Sequence, residues 1–91
     1  MSNYTLTVLL FGPARDALDG ASSIVVGNIS IPLSVKALRE AIQDQHPRLR
    51  FVLLNSVFAV ANKLIAKSRE ASHSIEDHAC EVVLVPPVSG G

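Results

Sequence analysis

The last six residues of the chain combine features that suit a reactive tail. Consecutive prolines favour a stiff, extended path, and glycines lack a Cβ atom, so a backbone that ends in two glycines can enter a narrow channel. The reactive group of such a tail is the α-carboxylate of Gly91. The residues that would carry this group into a partner are Pro86, Pro87, Val88, Ser89 and Gly90. The alternative is a C-terminus that is simply frayed.

The other residue types with chemical potential do not form a site in the sequence. No histidine lies at a spacing that promises to activate the single cysteine, Cys80, so we expect a small packed side chain and not a nucleophile. The side chains that a metal could use are His46, His73, His78, Glu76 and Asp77. Their spacing does not match that of structural metal sites, so we expect solvated residues and no metal.

Composition argues against several classes of function. The 91 residues suffice for one small domain. Eight basic side chains balance eight acidic ones, which argues against a nucleic-acid or anionic-membrane partner. No apolar run approaches the roughly 20 residues of a membrane helix, and the first residues lack the segments of a secretory signal. A single cysteine fits a reducing compartment, so we expect a cytosolic protein.

The first third of the chain predicts a β-hairpin. Side chains alternate in character over residues 5–11, which predicts a strand whose second face ends in Leu9 and Phe11. The Gly-Pro pair at 12–13 breaks this strand and starts a short helix. A second strand, predicted at 23–31, would pair with the first in the antiparallel sense.

One amphipathic helix follows the hairpin. Ser34 suits its N-cap, and Leu33 can pack on Leu38 as a hydrophobic staple. Apolar side chains recur at helical spacing over residues 35–42. Pro47 ends the helix, because the residue before a proline leaves the α region.

The second half predicts short elements. Residues 48–56 should be irregular or a short helical turn, with Phe51, Val52 and Leu54 under the sheet. Strands are predicted at 57–61, 64–65 and 80–85. The resulting ββαββ order is α+β and predicts a β-grasp (ubiquitin-like) fold, with a mixed sheet of four to five strands packed on one main helix. The first and last strands would run parallel at the sheet centre, in a domain of residues 1–85 followed by a tail of 86–91.

These elements and the tail together resemble the MoaD-type proteins, the small sulfur-carrier subunit of molybdopterin synthase in the MoaD/ThiS family. Residues 8–15 look like the family's first strand and short helix, 35–47 like its main helix, and 58–62 like its third strand and turn. The Pro-Pro-Val-Ser-Gly-Gly ending at 86–91 is the most specific part. A Gly-Gly end alone also belongs to the thiamine sulfur carrier and to ubiquitin-like modifiers.

The resemblance implies a non-catalytic carrier with no autonomous active site. An E1-like adenylating enzyme would activate the Gly91 carboxylate with ATP, and a sulfur donor would displace AMP to leave a thiocarboxylate. The tail would then enter the large subunit of molybdopterin synthase, in a heterotetramer, and give its sulfur to a cyclic pterin precursor. ATP would be used by the adenylating partner, so no cofactor is expected on this chain.

Docking of the tail requires a second contact. Ordering residues 88–91 costs about 4–8 kcal/mol of backbone entropy, whereas each main-chain hydrogen bond returns about 0.5–1.5 kcal/mol. We therefore expect a globular apolar patch to share the binding. Its predicted residues are Leu9, Phe11, Val83 and Val85. The alternative places these side chains under loops or the helix.

Two other functions are compatible with the sequence. One is a different Gly-Gly carrier, for thiamine or tRNA thiolation, or a ubiquitin-like modifier conjugated to lysine. The other is a non-covalent ubiquitin-like interaction module whose tail is incidental. Removal of Gly90 and Gly91 would abolish the activity of a carrier or modifier and leave that of an interaction module intact.

Overall fold

The computed structural model describes residues 4–86; residues 1–3 and 87–91 lie outside the described part of the chain. The helices and strands, in chain order, are β1 (Tyr4–Leu10), α1 (Pro13–Ala17), β2 (Ser23–Ile29), β3 (Leu33–Ser34), α2 (Val35–Gln45), α3 (Arg50–Leu54), β4 (Val57–Val60), β5 (Lys63–Ile65), β6 (Ser74–Ile75) and β7 (Val82–Val85). Single 3-10 turns at Pro47–Leu49 and Lys67–Arg69 complete this part of the chain.

Five strands form one mixed sheet in the order β2-β1-β7-β4-β5. β1 and β7 lie side by side and run parallel, whereas the other neighbouring pairs of this sheet are antiparallel. β3 and β6 form a separate two-stranded pair. With α2 packed on one face of the sheet, this is the β-grasp fold, and the predicted parallel pairing of the first and last strands is confirmed.

The hydrophobic core lies between the sheet and α2. The inward side chains of the two central strands and of the helix are all nearly inaccessible to solvent, namely Leu6, Val8, Leu10, Val82, Leu84, Val35, Leu38 and Ile42. Successive strand residues point to opposite faces. The predicted alternation of β1 is therefore confirmed, and Leu9 faces away from the core.

Of the three side chains predicted to lie under the sheet around α3, only Val52 packs against the core. Leu49, just before the helix, and Leu53 within it are fully buried, while Val52 is partly buried against the core. Phe51 is 74% exposed and Leu54 is 56% exposed, so their predicted position under the sheet is wrong. Residues three or four apart share a helix face, and a helix that turns Leu53 inward therefore turns Phe51 and Leu54 towards solvent.

A tight turn joins β4 to β5 between the two short strands predicted there, and it includes Ala61, which the prediction assigns to the first of them. Ala61 and Asn62 have φ angles of 50° and 67°, and two left-handed residues in succession are typical of a type I′ hairpin turn. Val60 and Lys63 pair across it. The strand predicted at 57–61 therefore ends one residue early, and β5 begins at Lys63.

The last strand begins at Val82 and not at Cys80, because Asp77 organises a turn before it. The Asp77 carboxylate accepts a hydrogen bond from the N–H of Ala79 at 2.8 Å. The backbone carbonyl of Asp77 accepts one from the N–H of Cys80 at 3.1 Å. An aspartate that bonds the backbone two residues further on stabilises a turn. This turn keeps Cys80 outside the sheet.

Helix α2 begins as predicted. The Ser34 hydroxyl accepts the N–H of Ala37 at 3.0 Å, which satisfies one of the unpaired donors of the first helical turn. The N–H of Lys36 donates to the carbonyl of Glu70 at 3.1 Å. The start of the helix is thus held by its own cap and by the loop that follows β5.

Arg39 connects α2 to three other segments. Its guanidinium donates two hydrogen bonds to the carboxylate of Glu70, at 2.9 and 2.6 Å. It also donates to the carbonyl oxygens of Leu53 and, at 2.9 Å, of Ser56, and it lies 5.1 Å from the ring centroid of Phe58. Only 14% of the Arg39 side chain and 6% of the Glu70 side chain are exposed. Each buried charge therefore needs the other.

The sheet edge formed by β2 is partly covered by the end of α2. Gly27 donates its N–H to the Gln45 carboxamide at 2.9 Å and accepts a hydrogen bond from it at 2.8 Å. His46 Nε2 lies 3.1 Å from the carbonyl oxygen of Val25. These side chains form hydrogen bonds with backbone groups of the edge strand that could otherwise pair with another strand. β2 itself ends at Ile29, earlier than the predicted limit of residue 31. Asn28, with a φ of 56°, lies at an irregularity in the pairing of β2 with β1.

We expect Glu70→Ala to lower the free energy of unfolding by about 3–5 kcal/mol, because it leaves the Arg39 guanidinium buried without its charge partner. Denaturant unfolding measures the change. The control is Asp19→Asn, which removes the exposed ion pair with Arg48 and should leave stability unchanged. Equal unfolding midpoints for the two variants would contradict this role of Glu70.

We expect Gln45→Ala to raise the hydrogen-exchange rate of the Gly27 amide, because that amide loses its acceptor. The amide of Val26, which pairs with Leu6 in β1, should exchange as before. Gln43→Ala changes the same residue type on the same helix and serves as the control. Unaltered protection of Gly27 in the Gln45 variant, measured by NMR, would show that the side chain does not cover this edge.

Candidate functional site

The C-terminal end of the described chain leaves the fold beside the end of β1. Pro86 directly follows β7 and is half-buried. Gly12 lies against it, since a Cβ atom at position 12 would be 3.7 Å from Pro86 Cγ. Gly12 has a φ of 54° and a ψ of −126°, a conformation that a side chain would strain. The turn between β1 and α1 thus forms one wall of the exit.

The remaining tail residues lie outside the described part of the chain, namely Pro87, Val88, Ser89, Gly90 and Gly91. Their entry into a partner's channel and the chemistry at Gly91 stay predictions. The described part fixes where this tail starts. Since β7 lies between β1 and β4, Pro86 continues a central strand and not an edge strand.

The sheet face opposite α2 carries a row of apolar side chains. The strand register aligns Leu9 with Val83, Val83 with Ala59, and Ala59 with Leu64. One step further towards the exit, Val85 is aligned with Val57. We call this surface the outer sheet face and define it by Leu9, Val57, Ala59, Leu64, Val83 and Val85.

The structure brings three of the four predicted partner-binding residues to one side of the sheet. Leu9, Val83 and Val85 lie on the outer sheet face and are half-buried, because neighbouring strands cover part of each side chain. Phe11 follows β1 and is 49% exposed. All four are thus accessible at the end of the sheet from which the tail leaves. Their contact with a partner stays a prediction.

Sequence reasoning missed three members of this surface. Val57 and Ala59 join it only through the pairing of β4 with β7, which the sequence does not reveal. Leu64 is 65% exposed, and the burial of its neighbour Ile65 indicates that it faces outward. The alternation of Leu64 and Ile65 in a short strand was the available signal.

A basic hollow of about 470 Å³ adjoins the outer sheet face at β5. Its lining includes Lys63, Arg69 and His73 next to Leu64, and no carboxylate residue is among its lining residues in the described chain. Basic groups at the rim of an apolar surface favour partners with acidic groups at the matching position. The hollow therefore gives this side of the face a charge preference.

Among the described residues, the other chemically capable side chains do not come together as a site. Burial raises the pKa of the Cys80 thiol, and the Asp77 carboxylate adds to the rise; a raised pKa lowers the reactive thiolate fraction. Within residues 4–86, no three histidine, cysteine, aspartate or glutamate side chains are placed to share a metal ion. Likewise, no helix of that range has the length and apolar character to cross a membrane.

Solved structures with the same fold align with nearly the whole chain. The solution structure of small archaeal modifier protein 1 from Methanosarcina acetivorans aligns with a TM-score of 0.71 at 19% identity and covers 100% of both chains. A complex of subunits 1 and 2 of the molybdopterin-converting factor from Helicobacter pylori aligns with a TM-score of 0.63 at 24% identity, covering 96% of this chain and 99% of the other. At these identities the likeness shows the fold alone.

Sequence comparison identifies the family. No curated protein sequence matches the chain significantly. The model of the ThiS family matches residues 8–91, which include β1, the rest of the β-grasp domain and the Gly-Gly end. The chain therefore belongs to the ThiS family, the MoaD/ThiS group of β-grasp sulfur carriers.

Proposed function

We propose that this chain is the sulfur carrier of molybdenum-cofactor (molybdopterin) biosynthesis. In this proposal the Gly91 carboxylate becomes a thiocarboxylate and donates its sulfur to a cyclic pyranopterin precursor within the large synthase subunit. The observation that carries the proposal is the family match up to residue 91. That match includes the Pro-Pro-Val-Ser-Gly-Gly ending, which is the part that resembles the MoaD type.

The proposed chemistry is divided between the chain and its partners. An E1-like enzyme transfers AMP from ATP to the Gly91 carboxylate and releases pyrophosphate, which converts a poor electrophile into an acyl-adenylate. A sulfur donor then displaces AMP and leaves the thiocarboxylate. ATP binds to the adenylating enzyme, so this chain acts as the substrate of both steps and carries no cofactor of its own.

The outer sheet face supports the proposal because the tail alone would bind weakly. Ordering the tail backbone costs about 1–2 kcal/mol of conformational entropy per residue. Apolar contact stabilises the complex by about 25 cal/mol per Å² of buried area. Val85 belongs to this face and directly precedes Pro86, so a partner that covers the face also holds the start of the tail. In Helicobacter pylori the molybdopterin-converting factor is a complex of two subunits, which supports a large subunit as the partner here.

We expect the chain to gain one sulfur in place of one oxygen when it is incubated with ATP, a sulfur source and an E1-like adenylating enzyme. Intact-mass spectrometry detects the exchange, and fragmentation should locate it at Gly91. A chain that lacks Gly91 is the control and should keep its mass. An unchanged mass with an enzyme that is competent on another carrier would contradict the sulfur-carrier chemistry.

The acceptor of the sulfur is tested separately. Restored molybdenum-cofactor synthesis in cells that lack their own small synthase subunit would support the proposal. Rescue of thiamine synthesis or tRNA thiolation alone, or isopeptide bonds to lysines of other proteins, would assign the carrier to one of those pathways. Full activity without Gly90 and Gly91 would indicate a non-covalent interaction module.

We expect Phe11→Ala to weaken binding to the large synthase subunit about tenfold, because about half of this side chain is available for burial. Titration calorimetry measures the affinity. The matched control is Phe51→Ala, since Phe51 is also exposed but lies on α3, away from the outer sheet face. Loss of affinity in the control and not in the Phe11 variant would place the contact elsewhere.

A further inference from the structure

Helix α3 presents a second apolar surface, on the side of the sheet away from the outer sheet face. Leu53 of α3 is buried in the core that the sheet shares with α2, so α3 lies on the helix side. Phe51 and Leu54 point away from that core and are 74% and 56% exposed. They are three residues apart and therefore lie on one face of the helix. We call these two residues the α3 patch.

Hollows flank the α3 patch on both sides. The smaller has a volume of about 250 Å³ and lies between α1 and α3; it is lined by Pro13, Phe51, Val52 and Asn55. The larger has a volume of about 520 Å³ and extends from Leu54 to α2 and to the loop after β5. Exposed apolar side chains next to recesses are what a partner's anchoring side chains require.

The charges around the α3 patch are mostly positive. The Arg50 guanidinium lies 5.8 Å from the centroid of the Phe51 ring. Lys36 and Lys67 line the larger hollow together with Glu40, and the Arg39 ion pair in the same hollow is neutral. Among the described residues that line these hollows or contact Phe51, three basic groups outside the ion pair thus stand against one acidic group, although the chain as a whole has a net charge of zero.

We propose that the α3 patch binds a short segment of a partner protein in which large apolar side chains are flanked by carboxylates. The apolar side chains would contact Phe51 and Leu54 and fill the hollows, while the carboxylates would face Arg50, Lys36 and Lys67. Since the patch and the outer sheet face lie on opposite sides of the sheet, both can be occupied together. This surface goes beyond the proposed sulfur transfer and does not depend on Gly91.

The binding is tested with a synthetic peptide, Asp-Glu-Phe-Asp-Glu-Leu-Asp, titrated into the isotope-labelled chain and followed by NMR. We expect amide shifts in α3 and the first turn of α2, none in β7, and weaker binding as salt is added. A peptide with lysine in place of each acidic residue is the charge control and should not bind. No shift in α3 at the solubility limit of the acidic peptide would overturn the proposal.

Substitutions assign the contact to individual side chains. Phe51→Ala and Leu54→Ala should each weaken peptide binding about tenfold, because each removes a large apolar contact; both positions are exposed, so the core stays intact. Leu64→Ala is the matched control, because Leu64 is a similarly exposed leucine on the outer sheet face. Equal affinities for the Leu54 and Leu64 variants would overturn the proposal.

Two further outcomes would also overturn it. Shifts of α3 that depend on protein concentration without peptide would assign the patch to contact between two copies of this chain. Loss of peptide binding in a chain that lacks Gly91 would make the patch part of the tail's own site. Retained binding in that variant, together with failed sulfur transfer, separates this proposal from the sulfur-carrier function.

Discussion

The parallel pairing of β1 and β7 dictates how the other elements of the domain are arranged. Parallel strands cannot be joined by a tight turn and need a long crossover, and here almost the whole chain lies between them. The antiparallel partners β2 and β4 enclose this central pair. As a result the sheet buries one face under α2, leaves the other face uncovered by the described part of the chain, and ends its central strand β7 at Pro86, beside Gly12.

The segments between β1 and β7 contain backbone carbonyl groups that need hydrogen-bond partners. Helix α3 is short, and the carbonyls at its end have no partners within the helix. Arg39 donates hydrogen bonds to the carbonyl oxygens of Leu53 and Ser56, and Glu70 neutralises the charge of its guanidinium. The same ion pair joins α2 to the loop after β5. The helical side of the domain is therefore held by a buried charge pair as well as by apolar packing.

The division of the domain into two faces also divides its possible contacts. The outer sheet face continues into the exit of the tail through Val85 and Pro86, so a partner bound there is positioned to receive the C-terminal end. The α3 patch lies on the other side of the sheet, beside Arg50. In the proposed sulfur transfer, such separation would let one contact form before the other is released.

Features that depend on neighbouring residues could be predicted before the fold was known. Alternation revealed β1, the Ser34 cap marked the start of α2, and the apolar run at 82–85 identified a central strand, so the β-grasp fold and the family could be predicted. The proposed reactive residue, Gly91, likewise came from sequence alone. Local patterns of this kind carry their signal within a few residues.

Contacts between side chains far apart in the chain became visible only in the folded domain. The five-residue helix α3 is too short for its period to show that Leu53 faces inward and Phe51 outward. The row that joins Leu9, Val83 and Ala59 depends on strand register. The Arg39 ion pair likewise joins residues far apart in the chain. Such contacts are set by the packing of whole elements, because no local rule selects the partner.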